Sequence, residues 1–119
     1  MRESIIGEKS MAFAIRIVKL YKYLSEEKRE YVISKQLLRS GTSIGANTRE
    51  SKNAQSKNDF INKLNIALKE ADETEYWLEL LYRTDYLEEK EFKSIYEDNA
   101  ELIKILTSII KKLKSDNDI

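Results

Sequence analysis

The sequence contains no cysteine, no histidine and no proline, and only three glycines among its 119 residues. Without cysteine there is neither a disulfide framework nor a thiolate metal site. Without histidine there is no imidazole base, no imidazole ligand and no side chain whose ordinary titration falls near neutrality. The scarcity of proline and glycine argues against a many-turned sheet protein, while a charged fraction of 35% suits long solvated helices, so an all-α fold is expected. No apolar run approaches the roughly 18 uncharged residues that span a bilayer, and the stretch Met1–Ser10 lacks a signal-peptide core, which points to a cytoplasmic protein with no membrane partner. A chain of this length forms one core, so residues 1–119 are expected as a single domain. Lys plus Arg and Asp plus Glu each number 21, and the zero net charge means that any basic surface must be local.

Four segments carry helical periodicity. The first, from about Ser10 to Leu24, has two apolar stripes. Met11, Ala14, Ile15, Val18 and Tyr21 form one, and Phe13, Ile17, Leu20 and Leu24 form the other. A lone bundle helix needs a single stripe, so the surplus predicts a contact with another subunit, assigned here to Phe13, Ile17, Leu20 and Leu24. Ser25, followed by Glu26 and Glu27, is placed to cap a new helix start. The second helix is expected from about Tyr31 to Asn53, although Ser40–Asn47 has poor helical propensity and a loop there is the alternative. Gly41 and Gly45, four apart, would clear one strip of that helix for a close backbone neighbour.

Ser56, Lys57, Asn58 and Asp59 have the form of a capping box just before Phe60. Phe60, Leu64, Ala67, Ala71, Thr74, Leu78 and Leu81 then alternate in four- and three-residue steps, and Ile95, Asn99, Leu102, Leu106, Ile109 and Leu113 repeat the alternation after a turn at Thr84–Tyr86. Short connections between the helices favour an antiparallel, up-down-up-down four-helix bundle.

Little chemistry fits this inventory. A di-iron bundle needs Glu-x-x-His pairs, which the missing histidine excludes, and haem would have only Met1 and Met11 as sulfur donors. Glu70, Asp72, Glu73, Glu75 and Glu79 crowd the third helix, but Glu70 and Glu73 fall off its apolar seam and suit a solvated face or a salt bridge, leaving Glu75 nearest the seam. Ser25–Lys28 and Ser108–Lys111 spell Ser-x-x-Lys, yet nothing around either resembles an oxyanion site. No GxGxxG and no phosphate-binding glycine loop occur. No enzyme, no metal and no cofactor are expected.

Charge is segregated along the chain. Ile33 to Asn58 holds five basic residues against one acidic, whereas Asp59 to Lys90 holds four against nine. Lys35, Arg39, Arg49, Lys52 and Lys57 therefore form either a phosphate-binding stripe or a basic helix paired with the acidic third one. No aromatic residue interleaves them as a base-stacking platform.

The run Gln36-Leu37-Leu38-Arg39-Ser40-Gly41-Thr42-Ser43-Ile44-Gly45-Ala46-Asn47, followed by Glu50, resembles the signature of a bacterial family: the four-helix-bundle proteins encoded by intervening sequences in 23S ribosomal RNA genes. The resemblance continues through Gln55, Ser56, Lys57, Asp59, Phe60 and Ile66–Leu81, and reaches back to Lys9, Ser10, Phe13 and Ala14. It implies an antiparallel subunit of a homopentameric, barrel-like ring without established catalytic activity, with Gly41, Ser43, Gly45, Asn47 and Glu50 as its helix-packing motif. A related branch serves diversity-generating retroelements, where a basic ring surface is thought to engage RNA and a reverse transcriptase. Carried over, Lys35, Arg39, Arg49, Lys52 and Lys57 are the candidate contacts to RNA or DNA. A scaffold for a neighbouring encoded protein, without nucleic-acid contact, is the alternative. A sequence pI near 6.4 departs from the more basic members.

Overall fold

A computed structural model describes residues 4–117, with side chains to Ser115; Met1, Asp118 and the other outlying positions of the expected 1–119 domain lie outside the described residues. The elements are α1 (Ile5–Glu26), α2 (Ile33–Ser51), α3 (Lys57–Arg83) and α4 (Glu89–Asn117), and no strand occurs among the described residues. The body measures 51 × 23 × 21 Å. The 29 residues of α4 extend about 43 Å at 1.5 Å per residue and fit only along its long axis. The four helices share one core.

Neighbouring helices meet in a consistent sense. From Ser40 to Glu50 along α2, the partners on α3 fall back from Thr74 to Lys63. From Ala71 to Tyr82 along α3, the partners on α4 fall back from Asn99 to Phe92.

The ends of the helices have identifiable chemical causes. Ser4 caps α1, its hydroxyl oxygen accepting from the Gly7 amide at 2.9 Å, so α1 begins a turn ahead of the expected Ser10 and buries Ile6. Ser25 is not a cap: it lies within the last turn of α1 and donates to the Tyr21 carbonyl at 2.8 Å. The cap of α2 is Glu30, which follows Arg29 in a left-handed conformation (φ 55°). Its carboxylate accepts from the amides of Val32, Ile33 and Ser34 at 3.2, 3.0 and 2.7 Å, satisfying donors that a helix start otherwise leaves orphaned. Ser56 caps α3 as expected, accepting from Asp59 N at 3.0 Å. Asp59 reaches back to the Gln55 amide rather than to that of Ser56. At the end of α3, Asp85 adopts φ 69°, and the amides of Asp85 and Tyr86 return to the Tyr82 and Leu81 carbonyls. This is the double bond of a Schellman motif with aspartate in the position usually held by glycine.

The unpromising stretch of α2 is helical throughout. Its small polar side chains bond back along their own helix: Thr42 to the Leu38 carbonyl, Ser43 to Arg39, Asn47 to Ser43 and Thr48 to Ile44. Gly41 receives the side chain of Ile17 from α1, and a Cβ built there would lie 2.8 Å from Ile17 Cγ1.

That contact decides the orientation of α1 and corrects the expected subunit interface. Phe13, Ile17, Leu20 and Leu24 are only 0–8% exposed and belong to the chain's own core, so they present no surface to a second copy. The surplus stripe is the other one. Met11, Ile15 and Val18 lie on the opposite side of α1 at four- and three-residue spacing, with Met11 43% and Ile15 51% exposed. The seam of α3 is buried as expected from Leu64 to Leu81, with Ile61 rather than Phe60 as its first fully covered member. On α4 the core residue near the end is Ile110 rather than Ile109.

Candidate functional site

The five basic positions of the α2 region do not form one cluster. Lys35 and Arg49 are separated by about 21 Å along the helix at 1.5 Å per residue, and Lys52 and Lys57 lie beyond Arg49 in and after the α2–α3 connection. Lys35, Arg49 and Lys57 are exposed and pair with no carboxylate among the described residues.

Arg39 has a different environment. Its guanidinium forks across two carboxylates of α3, with Nη1 donating to Glu70 Oε2 at 3.2 Å and Nη2 to Glu73 Oε2 in a short contact. Glu73 also accepts from Trp77 Nε1 at 2.9 Å. Bonding to Glu73 and then to Glu70 raises the Arg39 pKa above its ordinary value. The Glu73 carboxyl is held below its ordinary value, chiefly by Arg39 and secondarily by Trp77. At Arg39, then, the basic helix is paired with the acidic one. Glu50 extends this pairing at the far end, accepting from Lys63 at 3.0 Å.

The packing-motif residues divide by side. Gly41 and Gly45 face α1, where a Cβ on Gly45 would make ordinary contact with the Ser10 carbonyl at 3.4 Å. Ser43 and Asn47 serve the α2 backbone, and Glu50 reaches α3. The small residues leave a groove of about 390 Å³ on the outer side of the α1–α2 pair, floored by Ser10, Ala14 and Gly45, walled by Met11 and edged by Arg49 and Lys52. Beside the groove, Ile15 and Val18 continue from Met11 as an exposed apolar face of α1.

The acidic residues of α3 are engaged or dispersed. Glu70 and Glu73 hold Arg39, and Glu79 pairs with Arg83 at 2.7 Å. Glu75 lies against the Tyr96 hydroxyl, whose pKa rises through burial first and the neighbouring Glu75 and Glu79 charges second. No group of three acidic residues converges as a metal site among the described residues. None of the described helices is long and apolar enough to cross a membrane.

The sequence pattern of the family described as 23S rRNA-intervening sequence protein matches residues 2–108. The chain belongs to that family. As a 23S rRNA-intervening sequence protein it is also similar to a crystal structure from Bacteroides thetaiotaomicron, described as a protein with unknown function from the S23 ribosomal protein family. The two superpose with a TM-score of 0.89 at 63% identity, over 90% of this chain and 99% of that one. No curated protein matches. Neither the family description nor that of the similar structure names a catalytic activity.

Proposed function

We propose that this 23S rRNA-intervening sequence protein is a noncatalytic, cytoplasmic bundle of antiparallel, up-down-up-down helices that self-associates into a ring, the family resemblance giving a pentamer, and binds RNA through basic residues. The observation that carries self-association is the unpartnered face of α1. The core is closed by Phe13, Ile17, Leu20 and Leu24, yet Met11, Ile15 and Val18 remain exposed on the other side. Exposed apolar patches of this kind mark interaction sites. Phosphate contact is supported by the exposed, carboxylate-free Lys35, Arg49 and Lys57, which a ring would repeat in every subunit.

Light scattering at dilute concentration tests assembly, with a multiple of the 14.0 kDa chain mass expected and a monomer refuting it. Fluorescence anisotropy with RNA tests the second half, with affinity expected to fall steeply as salt rises and the absence of binding at low ionic strength refuting it.

A second reading is a scaffold for a neighbouring encoded protein, such as a reverse transcriptase, with no nucleic-acid contact. The engagement of Arg39 by Glu70 and Glu73 favours it, because a phosphate would have to displace two carboxylates from that half-exposed guanidinium. A pull-down that recovers one protein after nuclease treatment, from a chain that does not bind RNA, would select it.

A further inference from the structure

The sequence separates charge by helix, but the fold separates it by end. The Asn99–Ala71 bond fixes the alignment of α4 on α3, and Lys57 lies as far before Ala71 as Leu113 lies after Asn99. The last turns of α4, with Lys111, Lys112 and Lys114, therefore stand beside the first turn of α3. The Glu50–Lys63 pair brings the end of α2, with Arg49, to the same end of the body. All five cations are exposed. Of the described acids nearby, Glu50 is occupied by Lys63 and Asp59 by the Gln55 amide, leaving Glu8 exposed in the first turn of α1, while Glu3, Asp116 and Asp118 belong to the flanking sequence. The opposite end carries Glu26, Glu27, Asp85, Glu88, Glu89 and Glu91 against Lys28, Arg29 and Lys90. A chain of zero net charge is thus electrically bipolar.

We propose that this basic end, formed by Arg49, Lys57, Lys111, Lys112 and Lys114, is the surface that holds the phosphate backbone of RNA. The inference rests on the RNA reading above and places the site across three helix ends rather than along α2. Lysines on the final turns of a helix are mobile point charges suited to a flexible polyanion. No exposed aromatic ring stands among them, so contact is to phosphates and independent of base sequence. A lipid surface is the poorer fit, because apolar side chains would have to accompany the cations into the headgroup layer, and among the described residues only Ile5 is prominently exposed at this end, Met11 lying in the side groove that Arg49 edges.

The test is anisotropy of a labelled single-stranded RNA of mixed sequence, titrated with the full chain across a range of salt concentrations. The variants are Lys111→Gln/Lys112→Gln/Lys114→Gln, and Lys90→Gln at the opposite end of the body. The triple variant should bind roughly tenfold or more weakly, and its slope of log affinity against log salt should be shallower by about 2, given about 0.7 per phosphate contact. Lys90→Gln should leave both unchanged. Circular dichroism of the triple variant should match the parent, since all three side chains are exposed. A parent chain that binds RNA with a slope the triple variant retains overturns the basic end alone. A parent that binds no RNA at low salt overturns the RNA reading with it. Tighter binding to anionic vesicles than to RNA at equal phosphate concentration also overturns the proposal.

Discussion

Ile17 of α1 is seated on Gly41 of α2 so closely that a methyl group on the glycine would stand 2.8 Å from Ile17 Cγ1 and 3.0 Å from its Cδ1. The Cγ1 contact is with a branched side chain at 0% exposure, which has no free volume to retreat into. Gly41→Ala should therefore destabilise the chain by up to about 2 kcal/mol, the overpacking penalty of about 1–3 kcal/mol outweighing a propensity gain of about 1 kcal/mol. Gly45→Ala, whose methyl would meet Ser10 at 3.4 Å, should be neutral or stabilising. Urea unfolding midpoints check both, and equal losses at the two sites would show that the Ile17 contact is not what requires glycine.

Glu30 supplies a second prediction, because one carboxylate accepts three backbone amides at the start of α2. Glu30→Ala should cost about 1–2 kcal/mol and loosen that end first. Hydrogen exchange at Ile33 and Ser34 should accelerate more than at Thr74, which lies mid-helix on α3. Ser25→Ala, which removes no cap, should change stability by less than about 0.5 kcal/mol.

The Arg39–Glu73 pair makes the acid side of the stability profile informative. Glu73 is held below its ordinary pKa of 4.5, so its contribution is complete above that value and is lost as pH falls through the lower native one. Arg39 is shifted upward from its ordinary value, so its contribution is complete below that value and is lost only at higher, strongly alkaline pH. Glu73→Gln should flatten the decline of the unfolding midpoint below pH 4.5. At pH 7 it should cost at most about 1 kcal/mol, because both side chains are partly exposed and screened, and added salt should reduce the difference.

The two stripes of α1 can be told apart by charge. Ile15→Glu on the exposed side should retain helicity and a cooperative unfolding transition while lowering the mass seen by light scattering. Ile17→Glu should unfold the chain, since it would bury a carboxylate in the core without a partner. An Ile15→Glu protein with the parent's mass would remove this face from the assembly.

Much of this architecture was legible in the residues because it depends on local periodicity. Leu64 through Leu81 follows one seam without a slip, and the Ser56 cap is written in four consecutive residues. The two stripes of α1 were legible as a pair but not as core and surface, because both have suitable spacing and only the seating of Ile17 on Gly41 separates them. Glu30 was missed as a cap because its action depends on a left-handed Arg29, a conformation that carries no strong residue signal. The assignment of Ser25 followed composition alone, and a serine inside a helix can return its hydroxyl to the preceding turn equally well. Along the basic stripe, sequence order could not distinguish Arg39 from Arg49. Their difference lies in which α3 carboxylates come within reach, a tertiary fact. The lysines of α4 likewise join Lys57 only after α3 and α4 are laid side by side.

Asn99 is fully buried in α4, donating to the Ala71 carbonyl at 2.9 Å while its own Oδ1 finds no partner. A half-satisfied amide among leucines gives α4 an alignment pin. Sliding the helix by one heptad would keep most of its oily seam in place but strand both ends of that amide, so misthreaded forms lose stability that the native one retains. The oxygen left without a bond is thus the toll for permitting a single threading of a long and otherwise repetitive helix.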